Sequence, residues 1–326
     1  VPPTLRALLE RVIDYAGLFP PARLPMDEAV PNYLAYRASP QAWLLGGFVC
    51  GAAQLADLAR ALTAHGSAPP DFACCVIGSP LPNLAAAGAA LRGDLKQMQQ
   101  FAAALGIPAN DVDRLSLEFR LPQDWTPDSS GIPILFDEIN RAATDLEVPL
   151  GTVFLEAPLN GPVAEVAQSV NSFLWRTNAV FGLKFRTGGL EPSAYPSPEA
   201  LARAIAACRD NGLVYKLTAG LHQPLRHEET ALRTGAAKTM AHGFLNVLVA
   251  AVLASANRRL PPSDILAILE EQSAECFDFS PAKLQWRQHT ATLEQIRSAR
   301  QTALASFGSC SFDEPVEGLR ALGWET

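Results

Sequence analysis

The sequence predicts an α/β fold, a (β/α)8 barrel with additional N- and C-terminal helices, on three observations. Apolar, β-rich runs alternate with helical patterns for most of the 326 residues, the mark of βαβ units around a parallel sheet. Eight such runs occur, with seven helical stretches between them, as a closed barrel requires. Two of the runs carry a lysine followed by small residues, 32 positions apart, so a local design recurs at the spacing of one βα unit.

The expected strands begin with residues 12–18, a short run that can also be read as the end of the opening helix. Residues 43–50 (WLLGGFVC) and 72–78 (FACCVIG) are continuous apolar runs, the pattern of strands buried on both faces. Residues 114–120 alternate, with Ser116, Glu118 and Arg120 on one face and Leu115, Leu117 and Phe119 on the other. Residues 152–157, 181–186 and 213–219 follow, and 243–249 (GFLNVLV) is the expected eighth strand. Helical periodicity marks 26–36, 53–64, 84–105, 134–146, 163–175, 198–210 and 228–240. Residues 133–138 can be read as a strand in place of a helix start, and a doubly wound sheet is the alternative fold. Beyond the eighth run the pattern is helical at 248–256, 262–272 and 290–305. The expectation is therefore one domain: a barrel over 12–250 and a helical extension over 251–326 that covers a barrel end or forms a homo-oligomer contact. No internal repeat or low-complexity linker divides it.

With 48% hydrophobic and 18% charged residues the chain has ample material for a core. A net charge of −7 repels nucleic acid and anionic membranes, so neither is an expected partner. No apolar run reaches membrane-spanning length and the N-terminus lacks the layout of a signal peptide, so the expected location is cytoplasmic. The six scattered cysteines are expected as buried thiols, without disulfides or metal. Only five of the 26 basic residues are lysines. A chain so biased towards arginine keeps lysine where arginine cannot serve, as where a neutral amine is needed.

In FGLKFRTGG, Lys184 and Arg186 share one strand face; in LVYKLTAGLH, Lys216 and Thr218 do. On adjacent strands in similar register, the two ammonium groups converge near the C-terminal end of the barrel, where barrel enzymes keep their sites. Two buried lysines disfavour each other's charge, and a neutral lysine attacks carbonyl carbon to form a Schiff base. The alternatives are that the lysines bind an anionic group electrostatically, or that they pair with strand carboxylates. Thr187, Gly188 and Gly189 after the first lysine, and Gly220 after the second, let backbone N–H groups approach an anion. Arg186, Arg226, His222 and His227 add positive or ionisable groups. Glu118 and Glu156 face the lysines as proton carriers or counter-charges, and His222 or His227 can act as a general acid or base. The two histidines, spaced i, i+5 around Pro224, do not form a helical metal pair, so neither metal nor cofactor is expected. Asn246, within the expected eighth strand, is assigned a hydrogen-bonding role near the site.

These residues resemble the deoxyribose-phosphate aldolases, class I aldolases on the same barrel. Lys184-Phe185-Arg186-Thr187-Gly188 is similar to that family's K-x-x-T-G strand, and Lys216-Leu217-Thr218-Ala219-Gly220-Leu221 to its K-x-[ST]-x-G-[IV] strand. Weaker similarities fall in the same order at Ile13-Asp14-Tyr15, at Val76-Ile77-Gly78-Ser79-Pro80-Leu81 and at Phe154-Leu155-Glu156. The resemblance spans roughly residues 12–222. It implies that Lys184 forms the imine, that Lys216 tunes it, and that Asp14 belongs to the site. The family's acidic residue on the fourth strand falls at Ser116, with Glu118 two positions on along the same face. The segment GFLNV lacks the family's Gly-Ser phosphate-binding pair, and His222 and Arg226 suit a carboxylate equally well. The expected function is a cofactor-independent, aldolase-like lyase that takes a small anionic metabolite bearing a carbonyl group. A non-covalent isomerase, hydrolase or lyase with a cationic pocket is the alternative, as is a non-catalytic anion-binding protein.

Overall fold

Parallel strands covered by helices bury both of their faces, and seven of the eight expected strands form. A computed structural model describes residues 1–66, 68–122, 124–126, 131–174, 180–230 and 238–324. Within it, β1 (Ile13–Tyr15), β2 (Leu45–Gly51), β3 (Cys74–Ile77), β4 (Leu115–Arg120), β5 (Leu150–Glu156), β6 (Phe181–Arg186) and β7 (Tyr215–Thr218) pair in parallel in chain order. Helix α1 (Pro3–Leu9) precedes β1. Helices α2 (Met26–Arg37), α3 (Leu55–Ala64), α4 (Leu84–Leu105), α5 (Gly131–Asp145), α6 (Val163–Leu174) and α7 (Pro198–Asn211) fill the successive crossovers. Local signals set their ends. Asn83 and Ser197 accept hydrogen bonds from the first turns of α4 and α7, and both helices stop at a left-handed glycine, Gly106 and Gly212. Residues 133–138 lie within α5, and Trp175, the last residue of an expected helix, lies outside the described residues.

The C-terminal third corrects the expectation. Residues 243–249 do not form the eighth strand; they open helix α8 (Phe244–Ala256), in which every residue from Phe244 to Ala254 is buried. A short apolar run cannot be assigned by periodicity alone, and this one continues for 13 residues, a helical length. The expected helix at 228–240 is replaced by strands β8 (His227–Thr230) and β9 (Lys238–Ala241), which pair antiparallel from His227 opposite Ala241 to Thr230 opposite Lys238; residues 231–237 lie outside the described residues. After α8 come α9 (Pro262–Glu270) and a three-stranded antiparallel sheet of β10 (Phe277–Phe279), β11 (Lys283–Trp286) and β12 (His289–Thr292). The expected helix at 290–305 is shorter: α10 (Leu293–Thr302) starts at a capping box of Thr292 and Gln295.

The chain then returns to the barrel. Strand β13 (Leu304–Ser309) pairs in parallel with β7 on one side and β1 on the other, and α11 (Asp313–Ala321) follows it. The barrel therefore runs from β1 to β13 and is not complete by residue 250. Residues 251–326 are no helical extension, because they contribute the closing strand. Arg300 pins that strand: its guanidinium donates to the carbonyls of Leu304 and Ala305 and, at 3.1 Å, to that of Glu10 at the end of α1. A single core cluster runs from Leu5 to Leu319 and includes Phe307 of β13, stacked on Phe244 of α8 at 5.3 Å. The six cysteines are free, with Cys50, Cys74, Cys75 and Cys208 buried. Among the described residues no helix is long and apolar enough to cross a membrane.

Because Phe307 is 1% exposed and sits where β13 closes the barrel, Phe307→Ala should cost about 3–5 kcal/mol of stability in urea unfolding. A loss below about 1 kcal/mol, typical of a surface position, would contradict this placement of the strand.

Candidate functional site

Strand register brings the charges together. Arg120 of β4 lies opposite Glu156 of β5, Glu156 opposite Lys184 of β6, and Lys184 opposite Lys216 of β7. Side chains in one such row leave the sheet on the same face, so four consecutive strands send alternating charges into one end of the barrel.

Glu118 links the row to the barrel interior. One carboxylate oxygen lies 2.6 Å from Lys184 Nζ and the other 2.5 Å from Lys216 Nζ, so one buried anion spans both ammonium groups. Lys216 also meets Asp14 at 2.7 Å and the Cys75 thiol at 3.5 Å, and its Nζ lies 5.5 Å from the centre of the Phe154 ring. Asp14 is held in turn by the Ser306 hydroxyl at 2.5 Å and the Gly47 N–H at 2.8 Å. Lys184 has a second carboxylate in Glu156, 3.3 Å away, whose other oxygen takes Arg120 at 2.7 Å and lies 3.5 Å from Arg186.

Burial pushes the Glu118 carboxyl upward, but the adjacent Lys184 and Lys216 charges outweigh it and hold the pKa at about 2. Burial also opposes the charge on Lys216, yet Asp14, Cys75 and Glu118 keep that ammonium well above its ordinary value, so it stays protonated. Glu156 is lowered by Lys184, Arg186 and Arg120 against its own burial. The Cys75 thiol, pushed to about 12 chiefly by burial and by Asp14, remains protonated beside Lys216. The site is thus a charged network with each neighbour countered, which is the condition for burying it at all.

Above the network, at the C-terminal ends of the strands, opens a cavity of about 500 Å³. Lys184, Lys216, Glu118, Glu156, Arg186 and His222 all line it, as do Thr218, Gly189 and Gly220. Asp14 lies beneath, buried against Lys216. Thr187 is buried and donates to the Ala219 carbonyl at 2.6 Å, tying the end of β6 to that of β7. Gly188 and Gly220 have a packing reason for being glycine: a Cβ on Gly188 would lie 2.6 Å from the Gly220 Cα, and one on Gly220 2.8 Å from the Gly188 Cα.

Three expected residues stand apart from this cavity. Arg226 and His227 line a neighbouring depression that shares His222 and Glu229 with it. His227 donates through Nδ1–H to the Leu225 carbonyl, 3.0 Å away, while Nε2 lies 3.5 Å from Glu229. Asn246 is structural: from α8 it donates to the carbonyls of Ile268 and Glu271, each at 2.8 Å, and accepts from the Arg226 N–H. Its amide ties three segments together outside the barrel. His222 meets Glu314 of α11 at 2.7 Å.

Sequence alone does not single out Tyr195, Glu229 or Ser306. Tyr195 reaches the cavity from the loop after β6, and Glu229 from the hairpin read as a helix. Ser306 faces inward only once residues 304–309 are known to be a strand. Among the described residues no group of three or more His, Cys, Asp or Glu side chains is arranged to hold a metal ion. No protein-family model matches this chain, and no curated protein matches it in sequence.

Glu118→Gln removes the one anion shared by both lysines and should destabilise the protein at pH 7 by about 3–5 kcal/mol, the usual cost of uncompensated buried charge. The folded-state pKa of Glu118 is depressed, so its contribution is complete above the ordinary carboxyl value of about 4.5 and is lost as pH falls towards about 2. Urea unfolding of both proteins should accordingly show the gap narrowing between pH 7 and pH 3.5; a gap that widens would contradict the assignment.

Proposed function

We propose that the protein is a cofactor-independent lyase of class I aldolase type, in which Lys184 forms a Schiff base with an anionic carbonyl compound. The observation that carries the reading is the pair of lysines on adjacent strands, joined through Glu118 at the floor of a cavity whose mouth carries Arg120 and Arg186. A class I aldolase needs an amine, a nearby permanent positive charge and a proton carrier within reach, and each has a counterpart here.

In this reading the substrate's anionic group binds Arg120 and Arg186 in competition with Glu156, the most accessible carboxylate of the network. Lys184, having given up a proton, adds to the carbonyl carbon; a C–N bond forms, the carbonyl oxygen is protonated, and water leaves. A carboxylate of the site then takes the proton of the substrate's β-hydroxyl, the bond between the α and β carbons breaks with its electron pair drawn into the iminium, and an enamine and a carbonyl product result. Protonation of the enamine carbon and hydrolysis release the second product and restore the lysine. Glu156 is placed to exchange protons with Lys184, and His222 faces the same cavity. Lys216, held as an ammonium by Asp14 and Glu118, supplies a fixed positive charge on the strand beside Lys184.

The location of β13 bears on the family resemblance. The Gly-Ser pair is absent from GFLNV, but that segment is helical; the strand that closes the barrel ends Phe307-Gly308-Ser309, with Gly308 opposite Thr218 and lining the cavity. The Gly-Ser pair that GFLNV lacks is present at the end of the closing strand. This supports the aldolase-like reading and keeps a phosphate among the anions to test.

One observation favours a second reading, in which Lys184 stays charged and stabilises an enolate without covalency: its Nζ has two carboxylates at 2.6 and 3.3 Å. Borohydride added with a panel of aldehydes and 2-oxo acids separates the two. The expected result is an irreversible mass gain on the protein that disappears in Lys184→Ala, together with at least a thousandfold loss of turnover. Full activity in Lys184→Ala would overturn covalent catalysis at this residue.

A further inference from the structure

The cavity is divided by chemistry. Its charged groups come from β4 to β7 and, with Glu229, from the β8 hairpin, whereas the quadrant built by the ends of β1, β2 and β3 is apolar. There the lining is Phe19, Pro20, Pro21, Val49, Ile77 and Pro80. Three of these six are prolines, which carry no backbone N–H. The polar side chain of that quadrant, Ser79, is already engaged: its N–H and its hydroxyl both donate to Asp94, each at 2.7 Å. Asp94 itself is buried in α4. A hydroxylated chain pressed against this wall would lose water and find few donors in return, at a cost for each unmatched group.

We infer that the substrate is amphipathic: an anionic carbonyl compound whose body beyond the carbonyl is an apolar, aryl- or alkyl-sized group lying against Phe19, Val49, Ile77 and Pro80. The anion lies on the opposite side, towards Arg186 and Arg120, and the carbonyl between them over Lys184. A cavity of about 500 Å³ is within the range that encloses ligands of this size and exceeds what a three-carbon acid fills. The anion is a carboxylate or a phosphate; the apolar body is what the wall selects. This inference rests on the proposed use of Lys184 for the position of the carbonyl, but the division of the cavity does not.

Calorimetric titration of the full chain with 3-phenylpropanoate, propanoate and erythronate tests it without imine chemistry, since none of the three has an aldehyde or ketone carbonyl. The expected order is 3-phenylpropanoate at least tenfold tighter than propanoate, with erythronate no tighter than propanoate. Ile77→Asn and, as a second probe of the same wall, Phe19→Ser should each remove most of that advantage while leaving propanoate binding within twofold; far-UV circular dichroism checks that each variant is folded. Arg186→Gln should weaken both carboxylates alike. Competition of 3-phenylpropanoate with phenyl phosphate tells the two anions apart. Equal affinity for 3-phenylpropanoate and propanoate, or tighter binding of erythronate, would overturn the inference. Failure of borohydride trapping with the phenyl preference intact would instead remove the Schiff base and leave the amphipathic cavity standing.

Discussion

The carboxylate of Glu118 is the interaction on which the rest of the structure turns. Two lysines on neighbouring parallel strands cannot both be buried and charged unless an anion lies between them, and Glu118 touches both while being itself 2% exposed. Such an anion is tolerated in the interior only because two cations meet it. The arrangement extends across the barrel: Lys216 needs Asp14 of β1, and Asp14 is held by Ser306 of β13 and by the backbone of Gly47 in β2. With Cys75 of β3 beside Lys216 and Glu156 of β5 beside Lys184, all eight strands contribute to one polar network inside the barrel. Closure by β13 is therefore not separable from the site, because the strand that joins β7 to β1 also completes the hydrogen bonding beneath the lysines.

Glycines make room for this network. The Gly46 backbone lies so close to Asp14 that a Cβ there would be 2.4 Å from Oδ1, and one on Gly47 would be 3.1 Å from the Cys75 sulfur. On the other side of the barrel a Cβ on Gly182 would lie 2.4 Å from the Val214 carbonyl. Where most barrels fill their interior with layers of branched apolar side chains, this one places long charged side chains there and lowers the volume of their neighbours. At the mouth of the cavity Glu156 plays the comparable part, dividing its two oxygens among Lys184, Arg120 and Arg186.

Much of this is legible in the sequence. The alternation of Ser116, Glu118 and Arg120 against Leu115, Leu117 and Phe119 put Glu118 inside, and the repeated lysine strands put Lys184 and Lys216 side by side. Those readings held because strand periodicity and barrel topology act locally. The closing strand was not legible for the same reason. Leu304–Ser309 reads LASFGS, with two serines, a glycine and no β-branched residue, so nothing in it outweighs the helical pattern before it. Its strand character comes from the vacancy between β7 and β1, a tertiary demand. Phe244–Ala256 is the converse, an apolar run that passes for a buried strand until its length is counted. Arg226, His227 and Asn246 went astray with these elements: once the segment around them folds as hairpin and helix, their side chains serve the depression beside the cavity and the contacts of α8.

The division of labour between arginine and lysine follows from the same physics. Lys96, Lys238 and Lys283 are exposed, while Lys184 and Lys216 are buried to 4% and 2%. The arginines that reach inward meet carbonyls or carboxylates with several planar donors at once; Arg300 spans the carbonyls of Leu304, Ala305 and Glu10, and Arg114 those of Phe72 and Pro70. A guanidinium suits that task because its fork is rigid and permanently charged. At Glu118 the demand differs. A compact charge at the end of a flexible stem fits between two carboxylates in a crowded barrel, and it can lose its proton, which a guanidinium cannot. Stability alone would explain either cation at position 216, where the ammonium is locked in place. At position 184 the same crowding holds: the ammonium sits between Glu118 at 2.6 Å and Glu156 at 3.3 Å, two carboxylates that one compact charge can meet from a single point.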